Sequence, residues 1–371
     1  MYVNQPLNPK KKSRKWLIIP IIVVTLAVVV AISYAAYVFI SYSRIEDNVP
    51  VAPEGTAKNT EVKLGTEYTA VTYNIGFGAY TPEFSFFMDG GKSSWAESAE
   101  SVKACVDGAA SVLKEHEADF ALLQEVDYDS TRSYHIDESE QIKAQFPDYS
   151  STFAINFHSA FLMYPIMQPH GASYSGLLTM SDSQITSALR RSLPIATDIK
   201  KFIDLDRCYC VNRIPVENGM DLVIFNTHMS AYGTDGGLLD QQLNMIFDDM
   251  KAEYDKGNYV VCGGDWNHDL TGTSKEALNE KLPEDVDELS WASDLPADLI
   301  PEGFSRVTDY KSGETIPSCR NADIPYSKDC FVITVDGFIV SDNVEPTFVD
   351  VIDTGFEYSD HNPVELRFTL K

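Results

Sequence analysis

The stretch YVVCGGDWN, residues 259–267, is apolar from Tyr259 to Cys262 and then turns polar at Asp265 and Asn267. A strand buried in a sheet is apolar along its length and polar where it leaves the core. Gly263 and Gly264 permit close backbone approach, and Asp265 and Asn267 fall on one side of an extended chain. Other stretches share this shape. VTYN ends at Asn74, FALLQE at Glu125 and LVIFNTH at His228, and VITVDGFIV carries Asp336. SDHNPVEL then adds Asp360 and His361 near the C-terminus. Several polar strand mouths that converge make one charged site on a rigid frame. Carboxylates and amides suit a hard divalent cation, and histidines supply charge and protons, which is the chemistry of phosphoryl hydrolysis.

Working outward, the pattern mixes strands and helices. EYTAVTYNI, ADFALLQEV, DLVIFNTH, NYVVCGGDW, CFVITVDGFIVSD, EPTFVDVID and NPVELRFTL read as strands. SWAESAESVKACVDGAASVLKEHE reads as a helix with Val102, Cys105, Val106, Ala109, Val112 and Leu113 on one side. GLLDQQLNMIFDDMKAEYDKG reads as a second, with Leu239, Leu243, Ile246, Phe247 and Met250 aligned and Gly257 ending it. These apolar stripes are core faces. The acidic run at 284–299 reads as a solvated loop or short surface helix.

The chain has 371 residues, 44% of them hydrophobic, and a net charge of -26. Only two of the 55 acids, but six of the 29 basic residues, fall within the first 48 positions. The rest is strongly acidic and repels a bare phosphate backbone, which argues against a non-specific nuclease. The six cysteines form no CxxC pair and no zinc-finger spacing. Cys208 and Cys210 lie two residues apart on a strand, and Cys262 reads as a small buried hydrophobe. Cys319 and Cys330 flank a loop and are placed to pair in an oxidising compartment.

Trp16 to Ile40 is an apolar stretch long enough to span a bilayer. Pro20 lies in its first turns, where it costs little. Lys10 to Lys15 form a basic flank, so the positive-inside rule keeps residues 1–15 cytoplasmic and exports the chain beyond residue 40. A cleaved signal peptide would have a shorter apolar core and a small-residue cleavage site, which Ala35-Ala36 matches poorly. Residues 41–64, with Pro50, Pro53 and Gly55, read as a tether, and 65–371 as the catalytic domain. The expected location is a single-pass anchor in the cell membrane.

From Gly65 to Lys371 the chain resembles the endonuclease/exonuclease/phosphatase superfamily, on the motifs YNIG, LLQEVD, NTHMS, GGDWN, VDGFIVSD and SDHNPV in that family's order. The resemblance implies the DNase I-like fold, a four-layer α/β sandwich of two packed, mostly antiparallel sheets with helices outside. It implies Glu125 as main ligand of a catalytic Mg2+ or Mn2+, with Asn74 and Asp360 close to the metal. Asp265 would orient or deprotonate the attacking water, with Asn267 holding the phosphate. His361, paired to Asp336, would contact the scissile phosphate, and His228 would be a second histidine beside it.

Gly76 stands where the apurinic/apyrimidinic endonuclease branch usually carries an acid, and that branch usually lacks a histidine at the His228 position. DNA repair is therefore disfavoured. No carboxylate partner for His228 is identifiable. Arg132, in TRSYHIDESEQ, and Arg320 and Tyr326, in SCRNADIPY, are candidate substrate-binding residues, since arginine suits phosphate and tyrosine a sugar or lipid headgroup. The expected activity is metal-dependent hydrolysis of a small or membrane-linked phosphate ester outside the cytoplasm. The alternatives are a surface nuclease and a catalytically inactive binding domain.

Overall fold

A computed structural model describes residues 15–196, 205–231, 237–280, 293–308, 310–311 and 316–371. The basic flank before Lys15 and positions 284–292 of the acidic run lie outside the described residues. The chain divides into two compact units, residues 1–43 and 44–371. The first holds helix α1 (Lys15–Ser41). Its segment Ile18–Ser41 is long and apolar enough to cross a membrane.

The second unit is built on two mixed sheets. One runs in the order β1 (Val49–Val51), β6 (Ser187–Ser192), β7 (Cys208–Pro215), β8 (Asp221–His228), β9 (Tyr259–Asp265), β13 (Asp336–Ser341) and β10 (Phe304–Val307). The other runs β14 (Val344–Val351), β15 (Val364–Leu370), β2 (Tyr68–Asn74), β3 (Phe120–Asp127), β5 (Tyr174–Ser181) and β4 (Ser150–His158). Each has one parallel pair near its centre, β8 with β9 and β2 with β3, and is otherwise antiparallel. A short ribbon joins β11 (Cys319–Arg320) to β12 (Val332–Ile333).

Three apolar layers hold the sandwich together. Between the sheets, Ala70, Leu122 and Leu366 meet Ile224, Val261 and Phe338. Outside the second sheet, helix α2 (Ala99–Glu115) packs Val102, Val106 and Leu113 against Val71, Tyr73 and Leu123. Outside the first, α4 (Gly237–Tyr254) packs Leu243, Ile246 and Met250 against Val223, Val260 and Ile339. The four-layer DNase I-like sandwich is thus present. Short helices α3 (Glu138–Lys143) and α5 (Ser274–Asn279) complete the set among the described residues.

The segment expected as a tether is folded from Arg44 onward. Arg44 donates to the Leu193 carbonyl, Asp47 pairs with Arg191, β1 adds to the edge of the first sheet, and Glu54 bridges to Ser151. Its prolines suppress helix but permit an edge strand, where a missing N–H is tolerated. Cys319 and Cys330 are separate buried thiols. The single long strand expected at 330–342 is two, broken between Ile333 and Asp336.

Candidate active site

Strand register assembles the site. His228 lies opposite Asp265 on the parallel neighbour, and Asp265 lies opposite Asp336 on the antiparallel one. Three chemically active residues therefore share one row across β8, β9 and β13. Gly264 permits this row, because a Cβ there would lie 2.0 Å from the Thr227 carbonyl oxygen. From the facing sheet come Asn74, at the end of β2, and Glu125, at a bulge where β3 shifts register against β5. Glu125 adopts φ 53°, and Asn267 φ 52°. Left-handed backbone at a non-glycine residue costs energy and is concentrated at functional sites.

Hydrogen bonds then link the two sheets. Asn74 Nδ2 donates to Asp265 Oδ2 at 3.0 Å and to Glu125 Oε1 at 3.3 Å. Asn74 Oδ1 accepts from Gly76 N–H at 3.0 Å. The Asn267 N–H donates to Asp265 Oδ1 at 2.9 Å, and Asn267 Nδ2 donates to the Met229 carbonyl. His361 Nδ1 lies 2.7 Å from Asp336 Oδ2, which also accepts from Ser318 Oγ at 2.8 Å. Ser359 Oγ donates to the Asn74 carbonyl, fastening the loop of Asp360 and His361 to the end of β2. Asp360 is half-buried and faces Gly76, where a Cβ would lie 2.9 Å from its Oδ1. A Cβ at 76 would also lie 2.6 Å from the Tyr80 ring, and the backbone there is left-handed (φ 53°), which together account for glycine at this position.

The two histidines are electrostatically opposite. Burial disfavours the His361 cation, but Asp336, Cys319 and Asp265 outweigh it and hold the ring well above its ordinary pKa. Burial, Arg207 and His361 together push His228 well below its ordinary value, so it is neutral near pH 7. His228 Nε2 lies 3.5 Å from Asp265 Oδ2 and 4.0 Å from Glu125 Oε1, while its Nδ1 has no hydrogen-bond partner among the described residues. The carboxylate beside His228 that the sequence left unidentified is therefore Asp265. Burial, reinforced by Asp336, pushes the Asp265 carboxyl up to about 6. Asp360 is raised too, by burial first.

Asp265, Asp336 and His361 present ligand atoms within 4.8 Å of one another, a grouping able to hold a metal ion. Yet His361 Nδ1 and Asp336 Oδ2 are already engaged with each other, which favours an ion pair there. Glu125 offers the better cation donor, since it is only part-buried and a single long bond from Asn74 engages it.

Two of the expected substrate residues are committed elsewhere. Arg132 is buried in a bidentate pair with Asp127 (Nε–Oδ2 3.0 Å, Nη2–Oδ1 2.9 Å), its guanidinium 3.7 Å from the Phe77 ring. Arg320 is fully buried, and its Nη2 donates to the Thr81 and Phe84 carbonyls. It braces the 79–84 loop against β11, whose Arg320 N–H donates to the Asp360 carbonyl. Sequence identifies an arginine near a site but not what neutralises it. Tyr326 is exposed on the rim, its ring 4.8 Å from that of Phe356. Ser359 opens the SDHNPV motif but nothing singles it out within it, and Ser318, just before Cys319 in the SCRNADIPY stretch, had no distinguishing signal.

The fold defines a class, the DNase I-like α/β sandwiches. The model of the Endonuclease/Exonuclease/phosphatase family matches residues 71–361, and the chain belongs to that family. Among solved structures, the endonuclease/exonuclease/phosphatase from Beutenbergia cavernae DSM 12333 is 16% identical, with TM-score 0.54 over 82% of this chain and 72% of its own. D. rerio TDP2, complexed with a single-strand DNA product, is 13% identical, with TM-score 0.52 over 82% and 99%. ANGEL2, a 2',3'-cyclic phosphatase in complex with adenosine-2',3'-vanadate, is 15% identical, with TM-score 0.52 over 87% and 99%. No curated protein matches the chain.

Proposed function

We propose that this protein is a divalent-cation-dependent hydrolase of phosphate esters, anchored in the cell membrane by α1 with residues 44–371 outside the cytoplasm, acting on a small or membrane-linked ester. The observation that carries the reading is the Asn74 amide, bonded at once to Glu125 on its own sheet and to Asp265 on the facing one. It sets a candidate cation ligand beside a candidate base.

Glu125, with Asn74 and Asp360, would hold Mg2+ or Mn2+; the donors are hard oxygens, as those ions require. The bound ion would polarise the phosphate and neutralise charge developing on its oxygens. Asp265, with a pKa raised to about 6, is ionised at neutral pH yet basic enough to take a proton from water. Asn74 and Asn267 aim it, engaging one carboxylate oxygen each. His361, held cationic by Asp336, leaves Nε2 to donate to a phosphate oxygen. Neutral His228 is a donor or acceptor without net charge, suited to orienting the substrate rather than neutralising it.

The test is hydrolysis by the full chain in detergent, with Mg2+ or Mn2+ and with EDTA. Substrates are bis-p-nitrophenyl phosphate, p-nitrophenyl phosphate, plasmid DNA and phospholipid. Chelator-sensitive turnover of esters or lipid with DNA spared is the expected result. Preferential DNA cleavage would replace the reading with a surface nuclease, and inactivity on all four would reject it.

A further inference from the structure

The hairpin loop between β4 and β5 is apolar where a surface loop should be polar. Residues 159–173, SAFLMYPIMQPHGAS, contain no Asp, Glu, Lys or Arg, in a chain 23% charged. At the tip Tyr164 is 70% exposed, Ile166 83% and Met167 95%. The base is pinned: Ser159 N–H donates to the Ser173 carbonyl, Leu162 pairs with Gly171, and Trp95 Nε1 donates to the Pro169 carbonyl at 2.7 Å. An ordered loop that holds large apolar side chains in water forgoes the burial available to them, unless an apolar phase covers it. The single histidine in the loop, His170, is buried and pushed down to about 4 by burial and by Arg132, so the tip carries no charge at neutral pH.

The loop stands at the active-site end of its sheet. Val126 and Asp127, directly after Glu125, pair with Gly176 and Ser175, where β5 begins. Two more loops at that end continue the apolar rim. Phe87 packs on Tyr164 (ring centroids 5.8 Å apart) and places the 55%-exposed Met88 beside it. Ile324 and Tyr326 are exposed on a loop joined to the first by the Phe86–Ala322 and Tyr326–Pro82 backbone bonds.

The same chain supplies the apolar phase. Only Tyr42 and Ser43 separate the end of α1 from Arg44, which donates to the Leu193 carbonyl. A few residues of chain reach ~10 Å at most, so a bilayer crossed by α1 lies near this domain. Resting on the reading of α1 as an anchor and of the site as a phosphoesterase, we infer that the 159–171 loop is a membrane-contacting element. It dips its Tyr164–Met167 tip into the lipid headgroup and acyl boundary and so presents the site mouth to phosphate esters of bilayer lipids. Tyrosine and aliphatic side chains without charge are what that boundary accepts.

The experiment uses the full chain in lipid nanodiscs. The six native cysteines are buried, so Met167→Cys takes a polarity-sensitive fluorophore selectively, as does Lys256→Cys, between α4 and the start of β9 at the end of its sheet away from Asp265. Brominated phospholipid should quench and blue-shift the label at 167 but not at 256. Ile166→Asp combined with Met167→Asp should slow hydrolysis of nanodisc phospholipid about tenfold and leave bis-p-nitrophenyl phosphate turnover unchanged. A label at 167 that is no more quenched than at 256, with soluble-ester turnover intact, overturns the membrane contact and leaves the phosphoesterase standing. Quenching at 167 without turnover of any ester supports the contact and rejects the activity instead.

Discussion

Asp265→Asn should produce an enzyme that is inactive yet more stable than the parent above pH 7. Burial raises the Asp265 carboxyl from 3.8 to about 6. A gap of a little over two pKa units, at about 1.36 kcal/mol each, makes the ionised carboxylate a burden of about 3 kcal/mol on folding. Because the folded value is raised, that burden is absent below the unfolded pKa and grows as pH rises through about 6. An asparagine never ionises and avoids it. Against this gain, its amide group cannot satisfy both donors now facing the carboxylate, Asn74 Nδ2 and the Asn267 N–H. One donor-to-donor contact costs about 1–2 kcal/mol. The variant should therefore be about 1–2 kcal/mol more stable at pH 8 and less stable by a similar amount at pH 4. Chemical denaturation of the full chain in micelles with EDTA measures both. Turnover should fall by about 10²–10⁴ at every pH, the usual worth of a positioned base. A stability difference that does not change with pH would refute the burial argument. Turnover within tenfold of the parent would refute the role as base.

The same geometry sets three further outcomes. Asp336→Asn keeps the volume beside His361 but removes the charge that holds its proton, so the alkaline limb of the pH–rate profile should move to lower pH, with neutral-pH turnover down about 10²–10³. Arg132→Met strands the buried Asp127 carboxylate and should cost about 3–5 kcal/mol in denaturation, with KM of the folded fraction unchanged. His170 is neutral when folded and its pKa is depressed to about 4, so it favours the fold above pH 6.5. That contribution, up to about 3 kcal/mol, should fade between pH 6.5 and 4 and be missing from the pH dependence of His170→Gln.

The sequence alone determined where strands would end in chemistry. Burial on both faces demands apolar side chains, so the runs before Asn74, Glu125, His228 and Asp265 were legible as core strands. Helices α2 and α4 were legible from their apolar stripes. Less regular strands were not. β4 to β6 carry serine, asparagine and arginine at buried positions, and hydrogen bonds compensate many of them. Thr152 donates to Asn212, and Arg190 to the Ile155 carbonyl. A linear pattern records which residues avoid water. It does not record which polar group finds a partner across a sheet, because that depends on register and packing between distant segments. Tertiary structure alone decided that Arg132 belongs to Asp127 and Arg320 to backbone carbonyls, and that the two histidines carry opposite charge preferences. It alone set the uncharged Tyr164–Met167 tip at the active-site end of the sandwich. Each of these turns on distances of a few ångströms, at which burial and a neighbouring charge fix the state of an ionisable group.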